Sequence, residues 1–273
     1  MNITATVLTY NHEYLLKDCL ESVNGQTGLS EKIVVDNGSD IPLGEHLCPG
    51  WKVRRTPSNW GNIGGQNLCF HFVSDEWVLF IANDVRLMPD CVEQLIKLAT
   101  LLRLAGVRVG QIQPVLYRQD GRIDQAGMDW RWPGYGISRW WSFLKPLYTE
   151  RVEIVPSTCY LMKRDVWYEV GMFDESLGTS HEDVDMGIRL KKAGYHNYVC
   201  ADAQATHLVN QTLKHTIQNP SHQFQVSRMM VLRKHYRWLN YWTRWLAVKT
   251  LHYVPRKARQ IVGWWWRVPN QWP

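Results

Sequence analysis

The chain has 273 residues, 45% of them hydrophobic, enough to bury a substantial core as one large domain or as one domain with an appendage. Residues 1–202 carry 20 Lys+Arg against all 25 Asp+Glu, whereas residues 203–273 carry 11 Lys+Arg, no acid and seven of the 15 tryptophans, so an acidic-leaning body precedes a basic, Trp-rich tail. The six cysteines are widely spaced and form no C-x-x-C pair, which argues against a disulfide scaffold and for reduced, structural thiols of a cytoplasmic protein.

The opening stretch has no basic leader followed by an apolar run, no internal repeat is visible, and no run is long enough to span a bilayer. "TATVLTY" is a short β-rich run ending at Asn11, an expected N-cap, and "HEYLLKDCLESV" places Leu15, Leu16, Cys19, Leu20 and Val23 at helical spacing. "KIVVDNGSD" reads as an apolar strand that ends in polar and Gly residues, and "EWVLFIANDV" repeats the plan. After it, "MPDCVEQLIKLATLL" starts a helix at Pro-Asp with an apolar stripe through Val92, Leu95, Ile96, Leu98 and Ala99. Strand, polar loop and helix in succession predict a mostly parallel sheet covered by helices. Ligands bind at the carboxyl ends of such strands, where Tyr10, Asp36 and Asp84 are expected.

An aromatic ring for a base, an acid for a base or ribose, and a second acid for a hard divalent cation together suit a nucleotide diphosphate. "NWGNIGGQN", Asn59 to Asn67, reads as a Gly-rich loop open to close backbone approach, and is neither a Walker loop nor G-x-G-x-x-G. Further on, "HEDVDMGIRL" crowds Glu182, Asp183 and Asp185 into four residues at a helix start. One acid satisfies a helix N-terminus; three together fit a site with a cation or a proton to be abstracted. For each residue a plainer role is available: helix-end acids for the trio, turn chemistry for Asp36, a solvated loop for Asp84 and a structural hydrogen bond for His207.

In order, "TVLTYNHEYLLKDCLESV", "IVVDNGSD", "NWGNIGGQN", "FIANDVRLMPD", "DGRIDQAG" and the block from "CYLMKRDVW" through "GMFDESLGTSHEDVDMGIRLKKAG" to "ATHL" resemble family 2 inverting glycosyltransferases of the GT-A fold. Within that family they are similar to the bacterial rhamnosyltransferase-like enzymes. The resemblance runs from about residue 3 to residue 212 and implies an α/β, Rossmann-like sheet flanked by helices.

It also implies donor contacts from Thr9, Tyr10, Asn11, Asp36, Asn59, Gly64, Asn67 and Asn83, with Asp36 bonding the uracil or thymine ring. Asp84 and His207 would hold Mg2+ or Mn2+, Asp183 would be the catalytic base, and Glu182 and Asp185 would position the acceptor. One position departs from the pattern: the first residue of the D-x-D-like motif, usually Asp or Asn, is Ala82. The implied reaction moves a sugar from a nucleotide-diphosphate sugar, dTDP-rhamnose or a UDP-sugar, to a saccharide or lipid-linked acceptor in cell-surface polysaccharide synthesis. A non-catalytic sugar- or membrane-binding protein on the same fold is the other reading that Ala82 keeps open.

Between donor half and acids, residues 127–148 hold Trp130, Trp132, Trp140, Trp141 and Phe143, rings that either stack on acceptor sugars or pack beneath a connection. Residues 1–225 are read as the glycosyltransferase domain and 226–273 as a helical, membrane-associating extension. In "SRMMVLRKHYRWLNYWTRWLAVK", Val231, Trp238, Trp242 and Trp245 share one helical face and Lys234, Arg237 and Arg244 another. That is an interfacial pattern, suited to an anionic membrane surface at the inner face of the cell membrane. The rival readings are a helix completing the core and a nucleic-acid contact; no nucleic acid is expected as a partner.

Overall fold

The early strands are buried on both faces, mostly by Val, Ile and Leu with Thr4 and Thr6 among them, as suits parallel strands covered by helices on either side. The computed structural model describes residues 1–11, 13–44, 48–131, 135–138, 148–178, 180–208, 220–236 and 241–247. Strands β1 (Ile3–Thr9), β2 (Glu31–Asp36), β3 (Lys52–Arg55) and β4 (Trp77–Ala82) run parallel in the order β4-β1-β2-β3. Helix α1 (Glu13–Asn24) connects β1 to β2, and α2 (Gly61–His71) precedes β4.

The second half of the sheet is mixed. It is built from β5 (Val85–Leu87), β6 (Val109–Tyr117), β7 (Ile123–Gln125), β10 (Glu150–Val152), β11 (Cys159–Lys163) and the bulged β12 (His196–His207). Antiparallel β11 sits between β4 and β6, and the order continues through β12 to β10. A separate hairpin pairs β8 (Met128–Arg131) with β9 (Tyr135–Ser138).

Helices cover both faces. On one, α1 and α3 (Cys91–Leu104) bury Leu16, Leu20, Val92 and Leu95 against Ala5, Val7 and Ile112. On the other, Ile63 and Phe70 of α2, Trp167 of α4 (Arg164–Glu169), Met186 and Leu190 of α5 (Glu182–Lys192) and Val231 of α6 (Pro220–His235) form the second core. Phe70 stacks on Trp167 at 3.9 Å between centroids and Phe173 meets Trp167 edge-on at 4.5 Å, which locks α2, α4 and the 171–178 segment together.

Three local expectations change. "NWGNIGGQN" is largely helix rather than loop: α2 begins at Gly61, and Gly64 and Gly65 lie buried within it. A Cβ on Gly65 would stand 2.8 Å from Leu8, so this glycine lets α2 pack directly on β1. Asn11 does not cap α1 with its side chain; it adopts φ of 56° and exchanges hydrogen bonds with Asp40, donating at 2.8 Å and accepting at 2.7 Å. The tail stretch is not one interfacial helix, because α6 ends at His235 and a separate helical turn spans 241–247.

Within that tail Val231 is fully buried in the core, Lys234 pairs with Asp174 and Asp185, and Arg244 lies over the Tyr236 ring at 3.9 Å. Two cations expected to face lipid therefore face the protein, and core completion describes α6. The helix runs through residue 225, where the sequence reading divided the chain. Trp238 and Arg237 lie outside the described residues. Among the described residues, no helix is long and apolar enough to cross a membrane.

Candidate active site

The carboxyl ends of β1 and β4 meet because the two strands are paired, with Leu8 opposite Ala82. There Asn83 donates to the Thr9 hydroxyl at 3.0 Å, and both residues are buried. Tyr10 follows, half-buried. Ala82 has no polar side-chain group to offer, and its backbone N–H donates to Thr158 O at 2.9 Å.

Asp84, the next residue after Asn83, faces His207 at the end of β12, with Nε2 to Oδ2 at 3.4 Å. Backbone pairing sets this approach, since β5 pairs with β12 and Leu208 N–H donates to Asp84 O at 2.9 Å. His207 Nδ1 lies 2.8 Å from Asp124, which also accepts from Arg118 at 3.0 Å. Burial opposes charge on the imidazole, but the bonds to Asp124 and Asp84 outweigh it and push its pKa up to about 9. Burial likewise opposes charge on Asp124, and His207 and Arg118 overcome it, holding this carboxyl below its ordinary value.

A histidine with one nitrogen fixed by a carboxylate and the other turned to an acid has the arrangement of a metal-binding imidazole. The described residues hold no cluster of three or more metal-ligating side chains, so Asp84 and His207, the latter after loss of a proton, would supply only part of a cation's ligands. Asp124, in "DGRIDQAG", was not singled out from sequence; nothing in its spacing separates it from Asp120.

At the end of β2 the arrangement differs from expectation. Asp36 is 0% exposed. Its carboxylate accepts from Ser39 N–H at 2.9 Å and Leu43 N–H at 3.4 Å, and it is paired with Arg55, whose other terminal nitrogen donates to Ser39 O at 2.7 Å. Burial acts against the charged form, and these bonds reverse the effect, keeping the Asp36 carboxyl below its ordinary value. Asp36 therefore organises the 36–43 turn instead of presenting a free acid to a base. Its neighbour Asn37 donates to Asn59 Oδ1 at 3.1 Å and Gly61 O at 2.9 Å and accepts from Trp60 N–H at 3.1 Å, which seats the start of α2.

Asn59 is exposed and caps that start by accepting from Gly61 N–H at 2.8 Å. Asn67 is turned inward, donating to Phe173 O at 3.1 Å and Glu175 at 2.8 Å and accepting from Phe173 N–H at 3.0 Å. Asn67 is a brace between α2 and the 171–178 segment. Gly64 borders the same Glu175, 3.7 Å from where a Cβ would stand.

The acids at the start of α5 separate into two arrangements. Glu182 is buried and accepts from the Ser157 hydroxyl at 2.6 Å; burial raises its pKa and the Ser157 bond only partly offsets that. Asp183 is half-buried, with Val184 N–H donating to it at 2.7 Å. Burial first, then the charge of Glu182, push its pKa up to about 8. Ser157 and Thr158 form the link to the donor end, since one holds Glu182 and the other holds Ala82.

Asp185 faces the other way. It is 0% exposed and engaged by Arg189, Lys234 and His235, so it anchors α6 and is not open to an acceptor. Trp130 stands near the acids through His181, whose ring it meets edge-on at 6.2 Å, and Phe224 of α6 also meets that ring edge-on, at 5.7 Å. His181 takes a left-handed φ of 65° at the N-cap of α5, and burial together with the Arg228 charge brings its pKa down to about 4. From sequence His181 reads as a structural histidine, and Phe224 carries no signal there. Trp132, Trp140, Trp141 and Phe143 lie outside the described residues.

The model of the family described as "Glycosyl transferase family 2" matches residues 4–170, more than half of the chain. The chain belongs to that family. Among curated relatives it is 26% identical over 204 residues to the N-acetylglucosaminyl-diphospho-decaprenol L-rhamnosyltransferase of Mycobacterium tuberculosis, covering 67% of this chain and 64% of that one. It is 26% identical over 214 residues to the O-antigen biosynthesis protein RfbC of Myxococcus xanthus, covering 71% of this chain and 16% of the other. The chain thus spans less than two thirds of these relatives.

Two solved structures share the fold. GalNAc-T7 with UDP, GalNAc and Mn2+ aligns with a TM-score of 0.62 and 14% identity over 76% of this chain and 44% of that one. Staphylococcus aureus TarS 1-349 in complex with UDP aligns at 0.59 and 16% over 94% and 73%. The mixed, mostly parallel sheet flanked by helices is the GT-A fold.

Proposed function

We propose that this family 2 member is a metal-dependent, inverting glycosyltransferase that moves a sugar from a nucleotide-diphosphate sugar to a saccharide acceptor in cell-surface polysaccharide synthesis. The observation that carries the reading is the Ser157–Thr158 link. It ties the start of α5, through Glu182, to the backbone of Ala82 just before Asn83 and Asp84, and Asp183, whose pKa is pushed up to about 8, is the next residue after Glu182. A sugar hydroxyl is a poor nucleophile, so a carboxylate in reach takes its proton as the oxygen attacks the anomeric carbon. Asp183 is that base. The bond from the anomeric carbon to the diphosphate breaks on the opposite side, which inverts the centre. Asp84 and His207 would hold Mg2+ or Mn2+, which supplies charge stabilisation to the leaving diphosphate.

The relatives favour dTDP-rhamnose or a UDP-sugar as donor. The mycobacterial relative is named as a rhamnosyltransferase acting on a decaprenol-linked sugar, and TarS is solved with UDP-GlcNAc as well as UDP. The same relative supports a lipid-linked acceptor, and such an acceptor would be met at the inner face of the membrane. The basic tail beyond α6 is the part suited to that surface, with Trp242 exposed on the 241–247 turn.

Calorimetric titration with UDP and dTDP tests the donor side. Asp84→Asn is expected to weaken metal-dependent binding about ten-fold or more while the protein stays folded; unchanged affinity removes Asp84 from the site. For the tail, Arg256, Lys257 and Arg259 changed together to Glu should reduce co-sedimentation with anionic vesicles, and added salt should weaken the wild type. Binding that is equal on neutral and anionic vesicles would contradict the electrostatic contact.

A further inference from the structure

Asp183 and Asp185 are two residues apart on α5, so their side chains point about 200° apart around the helix axis. What holds Asp185 on one face therefore sets where Asp183 points on the other. Asp185 accepts from Arg189 Nε at 2.8 Å, lies 3.0 Å from Lys234 Nζ and 2.6 Å from His235 Nε2. His235 Nδ1 stands 3.1 Å from Lys192 Nζ. An ammonium only donates, so Nδ1 accepts and Nε2 carries the proton toward Asp185. His235 thereby pins α5 at residues 185 and 192, about 10 Å apart along its axis.

The same knot reaches the rest of the site. Lys234 also holds Asp174 at 2.7 Å, Arg189 donates to Met172 O at 2.6 Å, and Ser227 donates to Leu177 O at 2.6 Å, so α6 is fastened to the 171–178 segment as well as to α5. Burial opposes the Asp185 carboxylate, yet His235, Arg189 and Lys234 bring its pKa down to about 2, so the knot stays ionised at neutral pH.

Resting on the function proposed above, we infer that Lys234 and His235 of α6 are positioning residues for transfer: they fix the rotation of α5 that aims Asp183 at the acceptor. Side-chain tips lie about 5–6 Å from a helix axis, so a turn of about 10° moves a carboxylate by about 1 Å. A displacement of that size costs up to about 100-fold in rate. Helix α6 then belongs to the catalytic body, and the surface-binding segment begins after it.

The test compares His235→Leu, His235→Gln and Lys234→Met with the wild type at a temperature well below every melting point. His235→Leu and Lys234→Met should lower kcat about ten-fold or more at saturating donor and acceptor, with nucleotide affinity held within about two-fold. His235→Gln, whose amide nitrogen donates from the place of Nε2, should keep most of the rate. Hydrogen exchange in residues 180–187 should rise in the first two variants and stay low in His235→Gln. Wild-type kcat and exchange in both His235→Leu and Lys234→Met would overturn the inference, as would a fall of nucleotide affinity in step with kcat, or failure of glutamine to rescue. Lys234 is partly exposed, so Lys234→Met carries the comparison if His235→Leu does not fold. A wild type without transfer defeats the proposed function instead, and exchange then decides the clamp alone.

Discussion

Asp183→Asn is expected to lose transfer by about two to four orders of magnitude and yet to melt higher than the wild type at neutral pH. The two outcomes have one cause. Burial and the adjacent Glu182 raise the proton affinity of Asp183, which suits it to the base role proposed above and makes its charge unfavourable in the folded chain. Below about pH 4, the ordinary carboxyl value, folded and unfolded chains both keep the proton and the group is neutral to stability. Between about pH 4 and the folded value of about 8, folding must take up a proton, so stability falls as pH rises through that window.

An amide does not titrate, so the advantage of Asp183→Asn should grow across the same window and vanish near pH 4. Asp183 is half-buried, and with solvent screening discounted the gain is on the order of 1 kcal/mol, or about 2–4 °C in melting temperature. Glu182→Gln removes the neighbouring charge, so the rising limb of the pH–rate profile should move to lower pH. Melts from pH 4 to 9 beside a transfer assay measure all of this. Near wild-type turnover in Asp183→Asn would sink the mechanism, and an unchanged or lower melting point at pH 8 would show that its charge is not under strain.

Early strands and helices were legible because their signals are local. Leu15, Leu16, Cys19, Leu20 and Val23 recur at helical spacing and all five are buried. The run "WVLFIA" is buried along almost its whole length, as a strand covered on both faces must be. Strand ends then locate Asp84 without any alignment, since the polar residue after a buried run has to sit at the sheet's edge. Partners far away in sequence left no such signal. Asn67 braces residues 106 and 108 positions on, Asp36 is taken by Arg55, and Asp124 reaches His207 across 83 residues.

The tail shows the same limit from the other side. A helical face of cations has one appearance whether it meets lipid or a buried acid, and only the fold shows that Lys234 meets Asp185. Nor does crowding separate the three acids of "HEDVD". Helix geometry divides them, turning Asp185 toward α6 while Glu182 lies under Ser157.

Asp185→Asn is therefore expected to act on stability far more than loss of a helix cap would, which is about 1 kcal/mol. Its carboxylate is fully buried among Arg189, Lys234 and His235, and an amide leaves the largely buried Arg189 guanidinium without its carboxylate while Lys234 keeps only Asp174. Breaking a buried pair by removing one partner costs about 3–5 kcal/mol, because the remaining charge stays desolvated. The pH dependence has the opposite sign to that of Asp183. A carboxyl whose proton affinity is lowered on folding contributes stability that is complete above about pH 4, the unfolded value. That contribution is lost as pH falls through the folded value of about 2.

The gap between wild type and Asp185→Asn should thus be constant from about pH 5 to 7 and narrow between about pH 4 and 2, by about 2–3 kcal/mol at most, as the wild-type carboxyl takes up its own proton. Urea unfolding at pH 7, 4 and 2.5 measures it, with the slope on denaturant as a check that both proteins unfold in one step. Asp185→Ala offers no escape, since it removes the same carboxylate from Arg189 and leaves a cavity besides. A loss of only about 1 kcal/mol at pH 7 would return Asp185 to the role of an ordinary helix-end acid. The attachment of α6 to α5 would then have to rest on Val231 and the aromatic contact of Phe224 with His181, with Ser227 holding α6 to the 171–178 segment.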